Sequence, residues 1–395
     1  MRITGVRTVL YEYPLLHPIG DVQSQGSRQM ADLAVFLETD EALVGVAVAD
    51  AGTATTVHAL AAELIGRDPR AVRALYERMQ RIAFKVGPHG SLARGIAALD
   101  CALWDLRAKA NDVPLWRELG ASSGRVAAYA SGLDMALSDD GLRDYYRRMS
   151  QQYGIRAGKL KVGRDPDRDL ERLAIMRDAL ASGSDGSRPS LMIDANEFWS
   201  PKQAIRHISA IERDFDLVWA EEPVRRDDHR GLASVSQGVR TAIATGENLT
   251  APQQFAPLVL HGAADILQMA VGNVGITGAL RIAEMADAFG MPFALVNCPG
   301  RYAAHVAAVM PNHVMMEVLD VGRDAVFTTG HTIVDGEIVL GESPGLGLTF
   351  DEALLAAHAV ERPSAGTPGA TYRRSPDSGI AEPGVPIRTH WAEDP

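Results

Sequence analysis

LMIDAN (191–196), VWAEEP (218–223) and IATGEN (243–248) are the stretches that decide the fold. Each is a short apolar run ending in an acid: Asp194, Glu221 and Glu247, with gaps of 27 and 26 residues. That interval holds one strand, one helix and two loops. If the runs are parallel strands of a barrel, the three carboxylates converge at one end of it, where they suit a hard divalent cation such as Mg²⁺.

The sequence on either side repeats the same unit. From Arg125, strand-like and helix-like runs alternate: VAAYASG (126–132), AGKLKVG (157–163) and LMIDAN each precede a helical pattern. The series continues through LVWAEEP, TAIATGEN, ILQMAVG (266–272) and PFALVNC (292–298). Seven or eight βα units in a row predict a parallel barrel whose working face is the strand C-terminal ends. Charged helix faces such as DRDLERL (167–173) read as solvated surface.

Upstream the pattern differs. TGVRTVLYEY (4–13), ADLAVFLETD (31–40) and LVGVAVAD (43–50) alternate as antiparallel strands. Between them PLLHPIGDVQSQGSRQM (14–30) is polar and reads as a mobile loop. Helical periodicity then runs from Thr55 towards Gly120. The expected division is an α+β domain over 1–124, the barrel over 125–320, and a segment of short strands over 321–395 that returns to the first domain. From Glu361 the chain is rich in Pro, Gly and Ser, as in an extended or partly disordered arm.

The 395 residues, 46% hydrophobic and 23% charged, are enough for a large core and more than one domain. A formal net charge of −11 argues against a nucleic-acid-binding surface, though not against an anionic substrate. Two cysteines, Cys101 and Cys298, suggest neither a disulfide framework nor a zinc site. The N-terminus MRITGVRTVLYEYPL lacks a charged head followed by an apolar signal run, and no apolar stretch has membrane-spanning length. A cytoplasmic enzyme with no membrane partner is the expectation.

Lys159 and Lys161 lie two apart on the AGKLKVG strand and therefore face the same side. Two ammonium groups inside a barrel are costly unless carboxylates and an anionic substrate compensate. Each is expected to lower the other's pKa, a nearby metal ion adding to the effect, and a lysine brought towards neutrality can act as a general base. The plainer reading of K-x-K is a strand end with two solvated lysines, and an acid at a strand end is often a helix cap. Three acids at barrel spacing after K-x-K favour a site. Asn196 shares the side of Asp194 and is expected to contact substrate or a metal-bound water. Glu222 points the other way, as a structural partner to a basic group.

K-x-K, D-x-N, EEP and GEN, in this order, resemble the enolase superfamily in its mandelate racemase and muconate-lactonising branch. ALDCALWDLRAKANDVPLWRELG (98–120) resembles that branch's last capping-domain helix and PGLGLTFDE (344–352) its C-terminal return, so the likeness covers about 1–355. It implies an α/β fold: a modified (β/α)7β TIM barrel with an α+β capping domain formed by the N-terminal region and the C-terminal segment. It also implies Mg²⁺ on Asp194, Glu221 and Glu247, and Lys161 as the base that removes the proton α to a carboxylate to give an enediolate. Lys159 would neutralise the substrate carboxylate and depress the pKa of Lys161, and Glu317 matches the residue that hydrogen-bonds that carboxylate. The partners implied are a small-molecule carboxylate substrate and further copies of the chain, in a dimer or octamer.

Two positions break the pattern. Where the racemase has a sixth-strand Asp and a seventh-strand His, this chain has Ala270 and Asn297. With Lys161 alone, one-sided chemistry is economical: syn β-elimination of water, a dehydratase of a hydroxylated carboxylic or sugar acid. Asn297 can hydrogen-bond a substrate hydroxyl but cannot act as acid or base. Tyr129, Ser131, Cys298, Arg301 and Tyr302 stand near strand ends, Tyr129 and Tyr302 as candidate pocket residues, while His305 reads as packing. His17, Asp21 and Arg28 fall on the polar loop that closes over the site in the relatives, with His17 a candidate contact. The alternatives are a racemase, epimerase or cycloisomerase with a substitute second base, and a barrel that binds metal and ligand without turnover.

Overall fold

Strands β1 (Ile3–Ile19), β2 (Ser27–Thr39) and β3 (Val44–Asp50) form an antiparallel sheet in the computed structural model, which describes residues 1–24, 26–85, 87, 89–183, 187–296 and 298–363. The expected loop over 14–30 is corrected here. Pairing continues through Pro14↔Gln29 to Ile19↔Ser27, past a register shift. The period-2 signal explains it: Tyr13 and Leu15 are buried while Pro14 and Leu16 face out. Polar composition alone mimicked a loop.

Helices α1 (Ala54–Ala62), α2 (Val72–Ile82) and α3 (Gly90–Ala110) follow, then a single turn α4 (Leu115–Glu118). The 21-residue α3 is rich in Ala and buried along most of its length, because the sheet packs on one side and the barrel on the other. Gly45 on β3 permits this approach: a Cβ there would stand 2.2 Å from the carbonyl oxygen of Ala102.

The barrel strands are β4 (Arg125–Ser131), β5 (Ala157–Lys161), β6 (Ser190–Asp194), β7 (Leu217–Glu221), β8 (Ala242–Thr245), β9 (Ile266–Met269), β10 (Phe293–Leu295) and β11 (His313–Val318). All are parallel to their barrel neighbours, and β11 pairs with β4 to close the circle. Between them run α5 (Asp139–Tyr153), α6 (Pro166–Ala181), α7 (Pro201–Ile211), α8 (His229–Gly238), α9 (Ala256–Leu260), α10 (Val271–Ala288) and α11 (Ala304–Ala307). Asp165 and Ser200 cap α6 and α7 just before a proline in the first turn. Inside, Tyr129 and Trp219 meet edge to face at 5.2 Å among Ala157, Met192, Ala244, Ile266 and Ala294. This is a filled core rather than a channel.

The remaining strands are β12 (Phe327–Thr329), β13 (Thr332–Val334), β14 (Glu337–Val339) and β15 (Leu348–Phe350), followed by α12 (Glu352–His358). Strand β14 adds antiparallel to β4, and the amide of Val360 donates to the carbonyl of Leu10, returning the chain to β1. The fold is the closed eight-stranded barrel with an N-terminal capping domain that the sequence predicts. The tail lies outside the described residues from 364 onward. No helix among the described residues is long and apolar enough to cross a membrane.

Candidate active site

Parallel pairing sets the site. Lys161 on β5 stands beside Asp194 on β6, which stands beside Glu221 on β7. Glu247 lies two residues beyond β8, after Gly246, whose φ of 122° and Cβ approach of 2.6 Å to the carbonyl of Gln268 exclude a side chain. Asp194 and Glu221 are buried and Glu247 half-buried, and one carboxylate oxygen from each lies within 4.8 Å of the others.

Both lysines are buried against these acids. Lys159 Nζ lies 2.5 Å from Glu221 Oε1, 3.1 Å from Glu317 Oε1 and 3.7 Å from Asp194 Oδ2. Lys161 Nζ pairs directly with Asp194 Oδ2. For Lys161, burial acts to lower the pKa and so does Lys159, but Asp194, with Glu247 and Glu221 behind it, outweighs both and the net shift is upward. The expected repulsion from Lys159 is present, and the carboxylate in direct contact is stronger. Lys159 is raised as well, since Glu221 and Glu317 overcome its burial.

The acids carry the complementary strain. Burial pushes Glu221 up to about 8, with Asp194 and Glu247 adding repulsion that Lys159 only partly offsets. Burial and Asp194 likewise raise Glu247. Asp194 is lowered despite its burial, by Lys161 and then Lys159. Glu317 is lowered too, Lys159 overcoming its burial. Three converging oxygen donors, two of them driven up by burial and mutual repulsion, fit a hard divalent cation, and no soft ligand stands among them.

The neighbours hold this arrangement. The amide of Asn196 donates to Asp194 Oδ1 at 2.8 Å, and the buried Oδ1 of Asn196 has no hydrogen-bond partner among the described residues. Glu222 accepts from Asn248 Nδ2 at 3.0 Å, and the basic group expected for it is Arg226, which acts on it through charge. Arg226 gives its own hydrogen bonds to Glu197 and the carbonyl of Asn248. Asn196, Glu197 and Glu222 have φ of 42°, 62° and 40°, so left-handed backbone strain is concentrated here.

The other predicted residues divide. Glu317 pairs in register with Tyr129 on the neighbouring strand. Tyr129 lies in the barrel interior, its ring centre 5.5 Å from Lys159 Nζ and its buried hydroxyl without a partner among the described residues. Ser131 is buried at the end of β4. Tyr302 faces the capping sheet, where its hydroxyl donates to the carbonyl of Val48 at 3.2 Å; the pocket role expected for it gives way to packing between domains. His17 sits on β1 with its ring against Tyr145 and Nε2 at 3.1 Å from the carbonyl of Gly132. Asp21 accepts from the amides of Gln23 and Ser24, and Arg28 is exposed. Arg301 faces Asp324 at 3.4 Å, and His305 is buried, accepting from the amide of Trp116. Ala270 caps α10 at the end of β9, and Asn297 lies outside the described residues.

Sequence reasoning missed three sets of contacts. Gln268 on β9 donates to Glu221 Oε2 at 2.5 Å; its period-2 relation to Ala270 was the available signal. Asp134, Tyr146 and Arg172 hold the backbone of both lysines: Tyr146 donates to the carbonyl of Lys159, Asp134 accepts from the amide of Lys161, and Arg172 donates to the Lys161 carbonyl. Residues 20–24 are tied across the barrel mouth, with Gly20 bonded to Leu133, Val22 to Arg164, and Gln23 to the carbonyl of Asn196.

Comparison with known proteins agrees with this geometry. Residues 5–120 match the family model "Mandelate racemase / muconate lactonizing enzyme, N-terminal domain", and residues 141–354 match "Enolase C-terminal domain-like". The L-talarate/galactarate dehydratase of Salmonella typhimurium is 30% identical over 366 residues, 89% of each chain. The 3,6-anhydro-alpha-L-galactonate cycloisomerase of Streptomyces coelicolor is 31% identical over 369 residues, 91% of this chain and 99% of the relative. The solved structure of L-talarate dehydratase from Polaromonas, complexed with Mg and L-glucarate, superposes with a TM-score of 0.81 at 31% identity, covering 91% of this chain and 98% of the other. With barrel, capping domain, K-x-K strand and carboxylate triad all in place, the chain belongs to the mandelate racemase/muconate lactonizing enzyme branch of the enolase superfamily.

Proposed function

We propose that the protein is a magnesium-dependent lyase, a dehydratase that removes water from a hydroxylated carboxylic acid of the sugar-acid class. The observation that carries this is the asymmetry of the barrel mouth: two buried lysines on β5, and Ala270, which cannot ionise, at the end of β9.

The residues divide the work as follows. Lys159, held by Glu221 and Glu317, supplies the positive charge that pairs with the substrate carboxylate. Lys161 Nζ, unprotonated, takes the proton from the α-carbon, and the C–H electron pair moves into the carboxylate to give an enediolate. The pair then returns to break the C–O bond at the β-carbon. The Lys161 ammonium gives its proton to the departing hydroxyl, so water leaves from the face the proton left and the lysine is restored. Where the α-carbon carries a hydroxyl, the product is an enol that becomes a 2-oxo-3-deoxy acid. Asp194, Glu221 and Glu247 would hold a magnesium ion, which would supply Lewis-acid stabilisation of the charge developing on the substrate carboxylate and offset the acids that keep Lys161 protonated. Asn196 accepts from a substrate hydroxyl through its Oδ1, a reading supported by the lack of a partner for that atom among the described residues.

The names of the relatives support the substrate class, since one is a talarate/galactarate dehydratase and a solved one holds L-glucarate. The test is a panel of sugar mono- and diacids incubated with the Mg²⁺-loaded protein, followed by 2-oxo acid detection and by NMR of the α-proton in D₂O. Formation of an oxo acid that Lys161→Ala abolishes is the expected result. Full turnover by Lys161→Ala overturns the base. A second reading, isomerisation with a substitute second base, draws support from the cycloisomerase relative. It is favoured if the α-centre inverts or a ring forms or opens with no loss of water.

A further inference from the structure

Asp194 and Glu221 end strands and are fixed by ladder pairing, whereas Glu247 lies on the loop beyond β8. Something else must hold the third acid in place. The carbonyl oxygen of Glu247 accepts from Asn273 Nδ2 at 2.8 Å. Asn273, nearly buried at the start of α10, accepts through its Oδ1 from Arg94 Nε at 3.0 Å. Arg94 belongs to α3 of the capping domain, and its Nη1 pairs at 2.9 Å with Asp50 at the end of β3.

We propose that Arg94 and Asn273 form a positioning relay through which the capping domain sets the place of Glu247, and with it the magnesium affinity of the barrel. The inference rests on reading Asp194, Glu221 and Glu247 as the metal site. The chemistry of the relay allows one arrangement only. A guanidinium can only donate and a carbonyl can only accept, so the residue between them must accept at one end and donate at the other. Asparagine does both at the right reach, with its amide orientation fixed by its partners. Aspartate would turn a carboxylate oxygen against the Glu247 carbonyl.

The relay is not what docks the domains. Elsewhere in the α3–α10 interface, Trp104 Nε1 donates to Thr277 Oγ1 at 2.9 Å, and Asp100 accepts from both the amide and the hydroxyl of Thr277. Arg281 pairs with Glu77 on α2 at 2.6 Å. Arg94 and Asp50 are themselves only about one-third exposed, so their pair is shielded enough to hold a direction yet open enough to lose without collapse. Groups that orient metal ligands in this way typically change metal affinity 10–100-fold.

The test uses the full chain and Mg²⁺ alone, with affinity read by titration calorimetry and folding by thermal melts of the metal-free protein. Asn273→Ala, Asn273→Asp and Arg94→Met are each expected to weaken Mg²⁺ binding about tenfold or more. The Asn273→Ala/Arg94→Met double variant should be no weaker than Asn273→Ala, because both act along one path. Trp104→Phe, which cuts a neighbouring bond in the same interface, should leave Mg²⁺ affinity unchanged. If Asn273→Ala fails to fold, Arg94→Met carries the same test from a part-exposed position. The relay is overturned if Glu247→Gln loses Mg²⁺ while the Arg94 and Asn273 variants bind it normally, or if Trp104→Phe weakens binding as much as they do. Normal Mg²⁺ affinity in Glu247→Gln instead overturns the metal-site reading itself.

Discussion

Arg172 on α6 donates to the carbonyl oxygen of Lys161 at 2.7 Å, and through its other terminal nitrogen to Asp134 Oδ1 at 2.8 Å. The same Asp134 oxygen accepts the amide of Lys161 at 3.1 Å. One buried ion pair therefore grips the proposed base by both ends of its backbone. Removing Arg172 alone leaves Asp134 as an unpaired buried charge, which costs about 3–5 kcal/mol. Arg172→Met should lower the melting temperature strongly, and Asp134→Asn/Arg172→Met should recover much of that loss. Turnover should stay low in the double variant, with kcat falling and KM little changed, because the substrate's own contacts are untouched. Recovery of kcat along with stability would show the pair to be structural only.

The two lysines should separate kinetically. Lys161 acts on the reacting carbon, so Lys161→Ala is expected to lose roughly 10²–10⁴ in kcat while the acid still binds. Lys159 meets the carboxylate, so Lys159→Met should raise KM as well, and its loss should free Glu221 and Glu317 from their shared partner. Steady-state kinetics on the acid that responds in the panel, with α-proton exchange in D₂O, reads both effects. Equal losses in kcat alone for the two variants would contradict this division.

Much of the architecture was legible because it is written in local periodicity. Short apolar runs with helical runs between them mark seven of the eight barrel strands, and an acid at the end of each of three runs marks the carboxylate cluster. The loop expected over 14–30 failed because composition was weighed above alternation, although Tyr13 and Leu15 alternate correctly with Pro14 and Leu16. The contacts that arm the site were not legible. Asp134 with Arg172, Arg94 with Asn273 and Tyr302 with Val48 join residues separated by 38, 179 and 254 positions. No spacing rule reaches across such distances, and polar residues that meet only in the folded chain leave no periodic trace. The balance of charge at Lys161 was only half legible: K-x-K shows the repelling neighbour, while the attracting one, Asp194, comes from the next strand.

Acid should loosen the junction where the C-terminal segment meets α4. His305 accepts from the amide of Trp116, and both His305 and His331 face the carbonyl of Leu346 through Nε2, with ring centres 5.1 Å apart. Burial holds His305 down to about 3 and His331 down to about 4, the facing histidine adding to the first and Arg301 to the second. Both folded pKa values lie below the unfolded value near 6.5, so the unfolded chain takes up protons first. The stabilisation is complete above pH 6.5 and is lost as pH falls towards 4 and then 3, at up to about 1.4 kcal/mol per pH unit for each histidine. Asp100 and Asp169, raised to about 7 by burial, act in the opposite sense, losing stability as pH rises from about 4 to 7. Urea unfolding at pH 7 and pH 5 should therefore be compared between the parent chain and His305→Gln. The variant is expected to show the smaller loss on acidification, and an equal loss would remove His305 from the account.

Gly246 joins backbone geometry to the place of Glu247. Its φ of 122° is open to glycine and strained for other residues, and a Cβ would stand 2.6 Å from the Gln268 carbonyl and 2.8 Å from the ring of Phe255. Neither neighbour has room to retreat, since Phe255 is fully buried and Gln268 belongs to β9. Gly246→Ala should therefore displace Glu247 as well as destabilise the fold, by at least the 1–3 kcal/mol typical of such backbone strain. Melts with and without Mg²⁺ separate the two effects. At a hundredfold excess over Kd, Mg²⁺ should stabilise the parent chain by about 2.7 kcal/mol, and that increment should shrink or vanish in Gly246→Ala. A variant that is destabilised yet gains the full increment would show that the turn serves the barrel rather than the third acid.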